Sequence, residues 1–212
     1  MSAAPRFQYP VCLDLGARPC IVVGGGAVAE RKIRGLLGAG ARVTVVSPAL
    51  TPGLLALAAE ARLHWTPREY RGGDLAEAWL VMIATDDHAV NEEVAAEARA
   101  RRVWANCADD PERCDFALPA IARRGPLTVA VSTGGASPAL AQVAREEIER
   151  RLPAEWETLG EVAASVRREL RARGLALEGA RWRAALGGDV RALVGAGRAD
   201  EARRRLRERL GA

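Results

Sequence analysis

One segment near the start of the chain combines residue types and spacing that suit the binding of a pyrophosphate. It reads Gly24-Gly25-Gly26-Ala27-Val28-Ala29, which fits G-x-G-x-x-A, and it directly follows an apolar run that ends at Val23. The first glycine permits a tight turn, the second lets the backbone approach a pyrophosphate, and the alanine allows close helix–strand packing. Amides at the start of the following helix then face the anion. The segment predicts dinucleotide binding, and a turn that is merely tight is the alternative.

The acid that usually holds the adenine ribose is missing from this sequence. An Asp or Glu is expected about 20 residues after the glycines. The second strand instead ends Val45-Val46-Ser47-Pro48. Ser47 and Pro48 are therefore the predicted neighbours of the cofactor, and the sequence does not select NAD over NADP. Arg42 would suit a 2′-phosphate, but it precedes the strand and is expected at the opposite end.

Polar residues follow two further strands of the same predicted sheet. One strand is followed by Ala84-Thr85-Asp86-Asp87 and the next by Asn106-Cys107-Ala108-Asp109-Asp110-Pro111. Because ligands collect beyond the carboxyl ends of strands in doubly wound sheets, Thr85 and Asn106 are predicted cofactor neighbours. Asp109 is a candidate general base and a candidate metal ligand. A turn acid before proline fits the same pattern and stays open as the alternative.

A second strand–glycine–helix junction lies further along the chain. It reads Ser132-Thr133-Gly134-Gly135-Ala136-Ser137-Pro138. Free amides in such a loop bind carboxylates or phosphates, so these residues are candidates for substrate binding. A flexible turn with an ordinary helix cap is the alternative.

The histidines and cysteines show no spacing typical of a metal centre. His64 and His88 have no His or Cys partner at ligand spacing. The four cysteines match no zinc pattern, and we expect reduced, buried, apolar side chains. They are Cys12, Cys20, Cys107 and Cys114.

The elements that must position these residues alternate between strand and helix. Apolar runs predict strands at residues 19–23, 43–46, 63–66, 79–84 and 103–106. Helical spacing predicts helices at residues 27–39, 54–61 and 87–101, the last with Asp86 or Asp87 as N-cap. This alternation indicates parallel βαβ units, and hence an α/β fold with a Rossmann-like sheet.

The pattern changes after about residue 114. Strands are predicted at residues 116–118 and 127–131, and Ser137-Pro138 begins a helix. Helices broken by glycines follow from Pro153 to the end. The sequence thus predicts a dinucleotide-binding domain over residues 1–114, a small dimerisation segment over 115–150 and a helical domain over 151–212.

Composition excludes two classes of partner. The formal net charge of +4 is mild, and no basic stripe is interleaved with aromatic residues, so nucleic-acid binding is not expected. No apolar run approaches the roughly 18–20 residues that span a membrane, and Met1 to Pro10 lacks a signal-peptide pattern. We expect a cytoplasmic protein.

These residues together resemble the siroheme synthase N-terminal family, the precorrin-2 dehydrogenase/sirohydrochlorin ferrochelatase module. The likeness runs from about Tyr9 to Leu152. Its most specific parts are the stretch from Cys20 to Lys32 and the segment Ser132 to Pro138. Further matches are Gly38 to Val45, Ala84 to Asp87 with Asn91, Asn106 to Phe116, and Val129 to Leu140.

The resemblance implies a function and an assembly. It implies NAD-dependent oxidation of precorrin-2 to sirohydrochlorin, a homodimer whose active site uses both subunits, and Asp109 as the acid of dehydrogenation. Arginines and the Ser132–Ser137 loop would meet the carboxylates of the tetrapyrrole. It also implies insertion of Fe²⁺ or Co²⁺, again at Asp109, which the sequence alone does not decide. The methyltransferase domain of long family members is expected to be absent.

Two other functions fit the same residues. A non-catalytic NAD-sensing module would bind NAD without turnover and would need a partner-binding segment. A different dehydrogenase on the same scaffold would keep the cofactor site and change the substrate.

Overall fold

The computed structural model describes residues 6–211 and divides into two compact units. The units are Met1–Leu118 and Pro119–Ala212. This division groups residues 119–150 with the helices that follow them. The domain boundaries predicted at residues 114 and 150 stay predictions.

The first unit is built on a five-stranded parallel sheet in the order β3-β2-β1-β4-β5. Its strands are β1 (Pro19–Val23), β2 (Arg42–Val46), β3 (His64–Thr66), β4 (Leu80–Ile83) and β5 (Trp104–Cys107). Its helices are α1 (Ala27–Gly38), α2 (Pro52–Ala59) and α3 (His88–Arg101), and a 3-10 turn covers Pro111–Arg113. The predicted alternation of strand and helix is confirmed, with small differences at the ends of elements.

Alternate residues of the strands enter two different cores, one on each face of the sheet. Cys20 and Val22 of β1 belong to the core that α1 and α2 cover. Ile21 and Val23 belong to the core that α3 covers. A strand buried on both faces must be apolar throughout, which is why β1 and β4 appear in the sequence as continuous apolar runs.

The strand order creates a crevice at one edge of the sheet. From β1 the chain moves outward to β2 and β3, and then returns to add β4 and β5 on the other side of β1. Val23 is paired with Val46 and with Ile83, and Ile83 is paired with Cys107, so four strands end at the same level. Ligands of open α/β sheets bind where the order reverses, beyond these carboxyl ends.

The second unit combines a β-hairpin with five helices. Strands β6 (Ala120–Arg124) and β7 (Leu127–Val131) are antiparallel. The helices are α4 (Pro138–Arg151), α5 (Glu155–Ala172), α6 (Gly179–Ala185), α7 (Asp189–Gly195) and α8 (Ala199–Leu210). α4 packs on the hairpin, and α5 to α8 surround a core that includes Val166, Val190 and Leu206. Within residues 6–211, no helix is long and apolar enough to cross a membrane.

Three sequence-based expectations about elements had different outcomes. The strand expected at residues 116–118 is wrong, because the hairpin begins at Ala120. Pro119 has no amide proton for a strand ladder, and the carbonyl of Phe116 accepts a hydrogen bond from Asn106 instead. The helix expected to begin at Ser137-Pro138 is confirmed, and the hydroxyl of Ser137 caps it by accepting a hydrogen bond from the amide of Leu140. Asp87, not Asp86, caps α3.

Candidate active site

Two of the three loop glycines are required by the backbone around them. Gly24 has a φ of +115°, and a Cβ there would lie 2.2 Å from the carbonyl oxygen of Ala84. A Cβ at Gly25 would lie 2.0 Å from the carbonyl oxygen of Ala49. The loops that follow β1, β2 and β4 therefore approach one another so closely that only hydrogen atoms fit between them.

The third glycine faces open space. A Cβ at Gly26 would meet no atom within 4 Å. Gly26 is the N-cap of α1 and supplies no side chain to the first-turn amides, while Ala29 below it is fully buried. A helix N-terminus with free amides and an open approach fits the pyrophosphate of a dinucleotide.

The loop after β2 is held by its own hydrogen bonds. Ser47 is buried, and its hydroxyl donates to the carbonyl of Ala49 at 2.8 Å. The indole of Trp65 donates to the carbonyl of Ser47 at 2.9 Å. The hydroxyl proton of Ser47 is thus taken up by a hydrogen bond within the loop, and the neighbouring Pro48 is exposed.

An acid that the sequence analysis did not single out stabilises this loop from α1. Thr51 donates to the carboxylate of Glu30 at 2.5 Å, and its amide donates to the carbonyl of Gly25 at 3.0 Å. The hydrogen bonds from Thr51 and then Arg34 lower the pKa of Glu30. Glu30 therefore ties the loop after β2 to the helix that carries the cofactor-binding end.

The loop after β4 is equally well fixed. The hydroxyl of Thr85 accepts from the amide of Asp87 at 2.9 Å, and the side-chain amide of Asn91 donates to the Thr85 carbonyl at 3.1 Å. Thr85 lies next to the position where a Cβ on Gly24 would clash, so it borders the glycine loop.

The end of β5 carries a buried amide with partners on three sides. Asn106 accepts from the ammonium of Lys32 on α1 at 2.5 Å. Its own amide donates to the carbonyl of Phe116 at 2.9 Å, with the sulfur of Cys114 at 3.7 Å. The predicted cofactor neighbour Asn106 is thus occupied by contacts within the protein.

Asp109 and Asp110 have different surroundings. Asp110 caps the 3-10 turn through the amide of Glu112 and forms an ion pair with Arg113 at 2.5 Å. Asp109 is exposed, and no hydrogen bond or ion pair to its carboxylate occurs within residues 6–211. An unpaired carboxylate beside the crevice is available to take a proton, whereas Asp110 has a structural role.

The Ser132–Ser137 loop lies in the second unit and is a compact turn. The hydroxyl of Thr133 donates to the carbonyl of Ser137 and accepts from its amide, both at 3.0 Å. The amide of Gly134 donates to the hydroxyl of Ser132 at 3.1 Å. Several amides that the sequence offered for substrate binding are therefore already bonded within the loop, which turns through positive φ angles at Gly134 and Gly135.

The cysteines and histidines form no centre in the part of the chain that the structure describes. Cys20, Cys107 and Cys114 are buried as expected, whereas Cys12 is exposed, and all four are free thiols. Burial raises the pKa of the Cys20 thiol to about 11, so it stays protonated. No group of three or more His, Cys, Asp or Glu suited to a metal ion occurs among the described residues.

The sequence analysis also assigned no role to Lys32. Its side chain reaches the end of β5 because Lys32 lies three residues after the buried Ala29, on the side of α1 that faces the sheet. The signal that identifies it is composition, since Lys32 is the only lysine of the chain.

The fold and this crevice define a dinucleotide-binding protein with a Rossmann-like sheet. A family model described as "Putative NAD(P)-binding" matches residues 11–120, and the chain belongs to this family. A second family model, described as "Sirohaem biosynthesis protein central", matches residues 124–151. The resemblance inferred from the sequence is thereby confirmed.

Curated relatives and a solved structure match nearly the whole chain, beyond the segments that the two family models cover. The chain is 43% identical over 203 residues to "Siroheme synthase 1" of Serratia proteamaculans (strain 568), covering 95% of this chain and 43% of that protein. It is 42% identical over 204 residues to "Siroheme synthase" of Thioalkalivibrio sulfidiphilus (strain HL-EbGR7), covering 95% of this chain and 42% of that protein. The chain thus spans less than half the length of these relatives.

The solved structure titled "SirC, precorrin-2 dehydrogenase" has a TM-score of 0.77 and 27% sequence identity to this chain. The match covers 95% of this chain and 100% of that chain. The similarity therefore includes both units.

The glycine loop yields a first prediction about stability. Gly25→Ala should lower the free energy of unfolding by about 2 kcal/mol or more, because the new methyl group overlaps the Ala49 carbonyl. Gly26→Ala is the matched control and should change it by less than about 0.5 kcal/mol. Urea denaturation of both variants measures the difference. Equal stabilities would show that the loops after β1 and β2 are not in close contact.

Proposed function

We propose that the chain is an NAD-dependent precorrin-2 dehydrogenase that forms sirohydrochlorin in siroheme biosynthesis. The observation that carries the proposal is the open, uncapped start of α1 at Gly26, on the same sheet edge as the unpaired carboxylate of Asp109. The names of the curated relatives and of the solved structure support the choice of substrate.

Different residues of the first unit have different roles in the reaction. The amides after Gly26 bind the pyrophosphate, and the loops at Ser47–Pro48 and Thr85 border the rest of the cofactor. Held by these residues, NAD would supply the acceptor for a hydride from the reduced macrocycle. The carboxylate of Asp109 takes the proton that is lost with it. Exposure keeps this carboxylate within reach of a large substrate.

Two features support NAD over NADP. The segment 47–53, which follows β2, contains no cation to pair with a 2′-phosphate. Arg42 stands at the first position of β2, at the end of the strand remote from the crevice. A missing cation disfavours the additional phosphate, while the missing acid leaves the ribose to be held by the backbone.

The second unit supports assembly as a homodimer. Three large apolar side chains of α4, Leu140, Val143 and Ile148, are 58%, 62% and 37% exposed. Leu140 and Val143 lie three residues apart on one face of α4, and exposed apolar surface of this kind marks interaction sites in soluble proteins. We assign this face to a second copy of the chain. The arginines and the Ser132–Ser137 loop would then meet the carboxylates of the substrate.

A turnover assay with precorrin-2 and NAD, followed by the absorbance of the product, tests the function. Formation of sirohydrochlorin coupled to NADH supports the proposal. Binding of NAD without turnover would overturn it in favour of an NAD-sensing module.

The second prediction concerns the cofactor. Gly26→Asp should weaken NAD binding by about 3–5 kcal/mol, because it sets a negative charge against the pyrophosphate. Gly38→Asp places the same side chain in open space at the other end of α1 and should bind NAD normally. Calorimetry measures both affinities. Unchanged affinity in a folded Gly26→Asp protein would remove the pyrophosphate from this loop.

The third prediction concerns the acid. Asp109→Ala should lower the turnover of precorrin-2 by about 10²–10⁴-fold with nearly unchanged NAD affinity, since positioned acid–base catalysis contributes on that scale. Asp110→Ala should cost stability, through the lost cap and ion pair, and little rate. Steady-state kinetics measure the rates. An Asp109→Ala rate within a few-fold of the wild type would exclude this role.

The fourth prediction concerns the assembly. The chain should be a dimer at micromolar concentration by light scattering, because the exposed apolar face of α4 needs a partner. Obligate interfaces of this kind bury about 2,000 Å² or more. Val143→Glu should shift it toward the monomer, whereas Gln142→Glu, at a neighbouring exposed position, should not. A fully active wild-type monomer would contradict the dimer.

A further inference from the structure

The choice of cation at position 32 stands out against the rest of the chain. Lysine and arginine together number 31, and Lys32 is the only lysine. Arginine has a broad planar head that stays charged, whereas lysine has a compact head with three donors that fits a small niche. A chain that otherwise uses arginine throughout has a lysine where the cation is partly buried at the end of β5.

The contacts of Lys32 link three separate parts of the first unit. The ammonium of Lys32 donates to the side-chain oxygen of Asn106, which is 6% exposed. The other end of the Asn106 amide donates to the carbonyl of Phe116. The network therefore joins α1, the end of β5 and the chain that returns after the 3-10 turn. Asp109 lies within the segment that these contacts enclose.

We propose that Lys32 is a positioning residue for Asp109. Its ammonium orients the Asn106 amide, and Asn106 in turn holds the two ends of the segment from Cys107 to Asp115 that presents the carboxylate. This inference rests on the proposed function, because it assumes that Asp109 is the acid of the dehydrogenation. The inference gives a role in the reaction to Lys32, which contacts neither the glycine loop nor the Asp109 carboxylate.

The hydrogen-bond balance explains why the contact matters. Without Lys32, the side-chain oxygen of Asn106 would be buried at the end of β5 with no hydrogen-bond donor from α1. A buried polar atom without a hydrogen bond lowers stability. The amide would be free to turn, and the bond to Phe116 would lose its fixed direction. A catalytic group that moves by about an ångström loses much of its rate.

The surroundings of Lys32 lower the pKa of its ammonium, and burial is the main cause. Burial lowers the pKa of Lys32, while the nearby Cys114, Cys107 and Asp109 act in the opposite direction. Arg31, the neighbour on the same helix, lowers this pKa further. The environment thus gives Lys32 a measurable signature that a solvent-exposed lysine does not have.

Three variants and one control test the proposal by kinetics. Lys32→Met and Asn106→Ala should each lower kcat for precorrin-2 by about 10–100-fold, the scale found for supporting residues around a site. The KM for NAD should change little, because the glycine loop is untouched. Lys32→Arg should not restore kcat, since the planar guanidinium presents its donors to the Asn106 oxygen in a different geometry from the compact ammonium. Arg42→Met removes an exposed cation at the end of β2 remote from the crevice and should behave as the wild type.

The double variant separates a positioning role from two independent effects. If Lys32 acts through Asn106, Lys32→Met with Asn106→Ala should lose no more activity than the worse single variant. Multiplied losses would overturn the proposal, as would a Lys32→Met protein with the kcat of the wild type.

Nuclear magnetic resonance gives a readout that is independent of turnover. Protein labelled with [¹⁵N]lysine should show one side-chain signal, because Lys32 is the only lysine. The pKa of its ammonium should lie below the usual lysine range. Asn106→Ala should shift the signal, whereas Arg42→Met, at the remote end of β2, should not. A signal that titrates like free lysine and ignores Asn106→Ala would refute the inference even in an active enzyme. Absent turnover in the wild type would instead refute the proposed function.

Discussion

The close approach of two neighbouring loops to Gly24 and Gly25 is the constraint on which the rest of the site depends. Carbonyl oxygens of Ala84 and Ala49 occupy the positions where Cβ atoms of these glycines would clash. This contact brings the ends of β2 and β4 against the end of β1, which leaves the start of α1 as the exposed surface of the crevice. Because packed backbone segments cannot move as a flexible side chain does, the shape of the crevice is fixed before any ligand binds.

Helix α1 has two roles at this crevice, one at its start and one in its second turn. Its first amides face the open side at Gly26, while Lys32 reaches the end of β5. Glu30, between them, holds Thr51 in the loop after β2. One rigid element thus contacts the ends of two strands that lie on opposite sides of β1. A helix packed through Ala29, Ile33 and Leu36 transmits the position of one end to the other.

Much of the first unit could be predicted from the sequence because its signals are local. A strand buried on both faces is apolar at every position, and a glycine triplet directly after such a strand is typical of a dinucleotide-binding turn. The strand expected at residues 116–118 does not form. The carbonyl of Phe116 instead accepts a hydrogen bond from the side chain of Asn106, ten residues earlier. Similarly, no local pattern distinguishes Asp109 from Asp110, and only the structure shows that Asp110 is bound to Arg113.

The sequence by itself determined the βαβ order, the glycine loop and the family, since these depend on residue type and spacing along the chain. The tertiary structure decided which polar groups are free. It placed Ser47 in a loop that consumes its hydroxyl proton, paired Asn106 with Lys32 across 74 positions of the chain, and left Asp109 exposed. The reason is that hydrogen bonds between distant segments form only when the sheet brings strand ends together, and a one-dimensional pattern carries no information about which donor then reaches which acceptor.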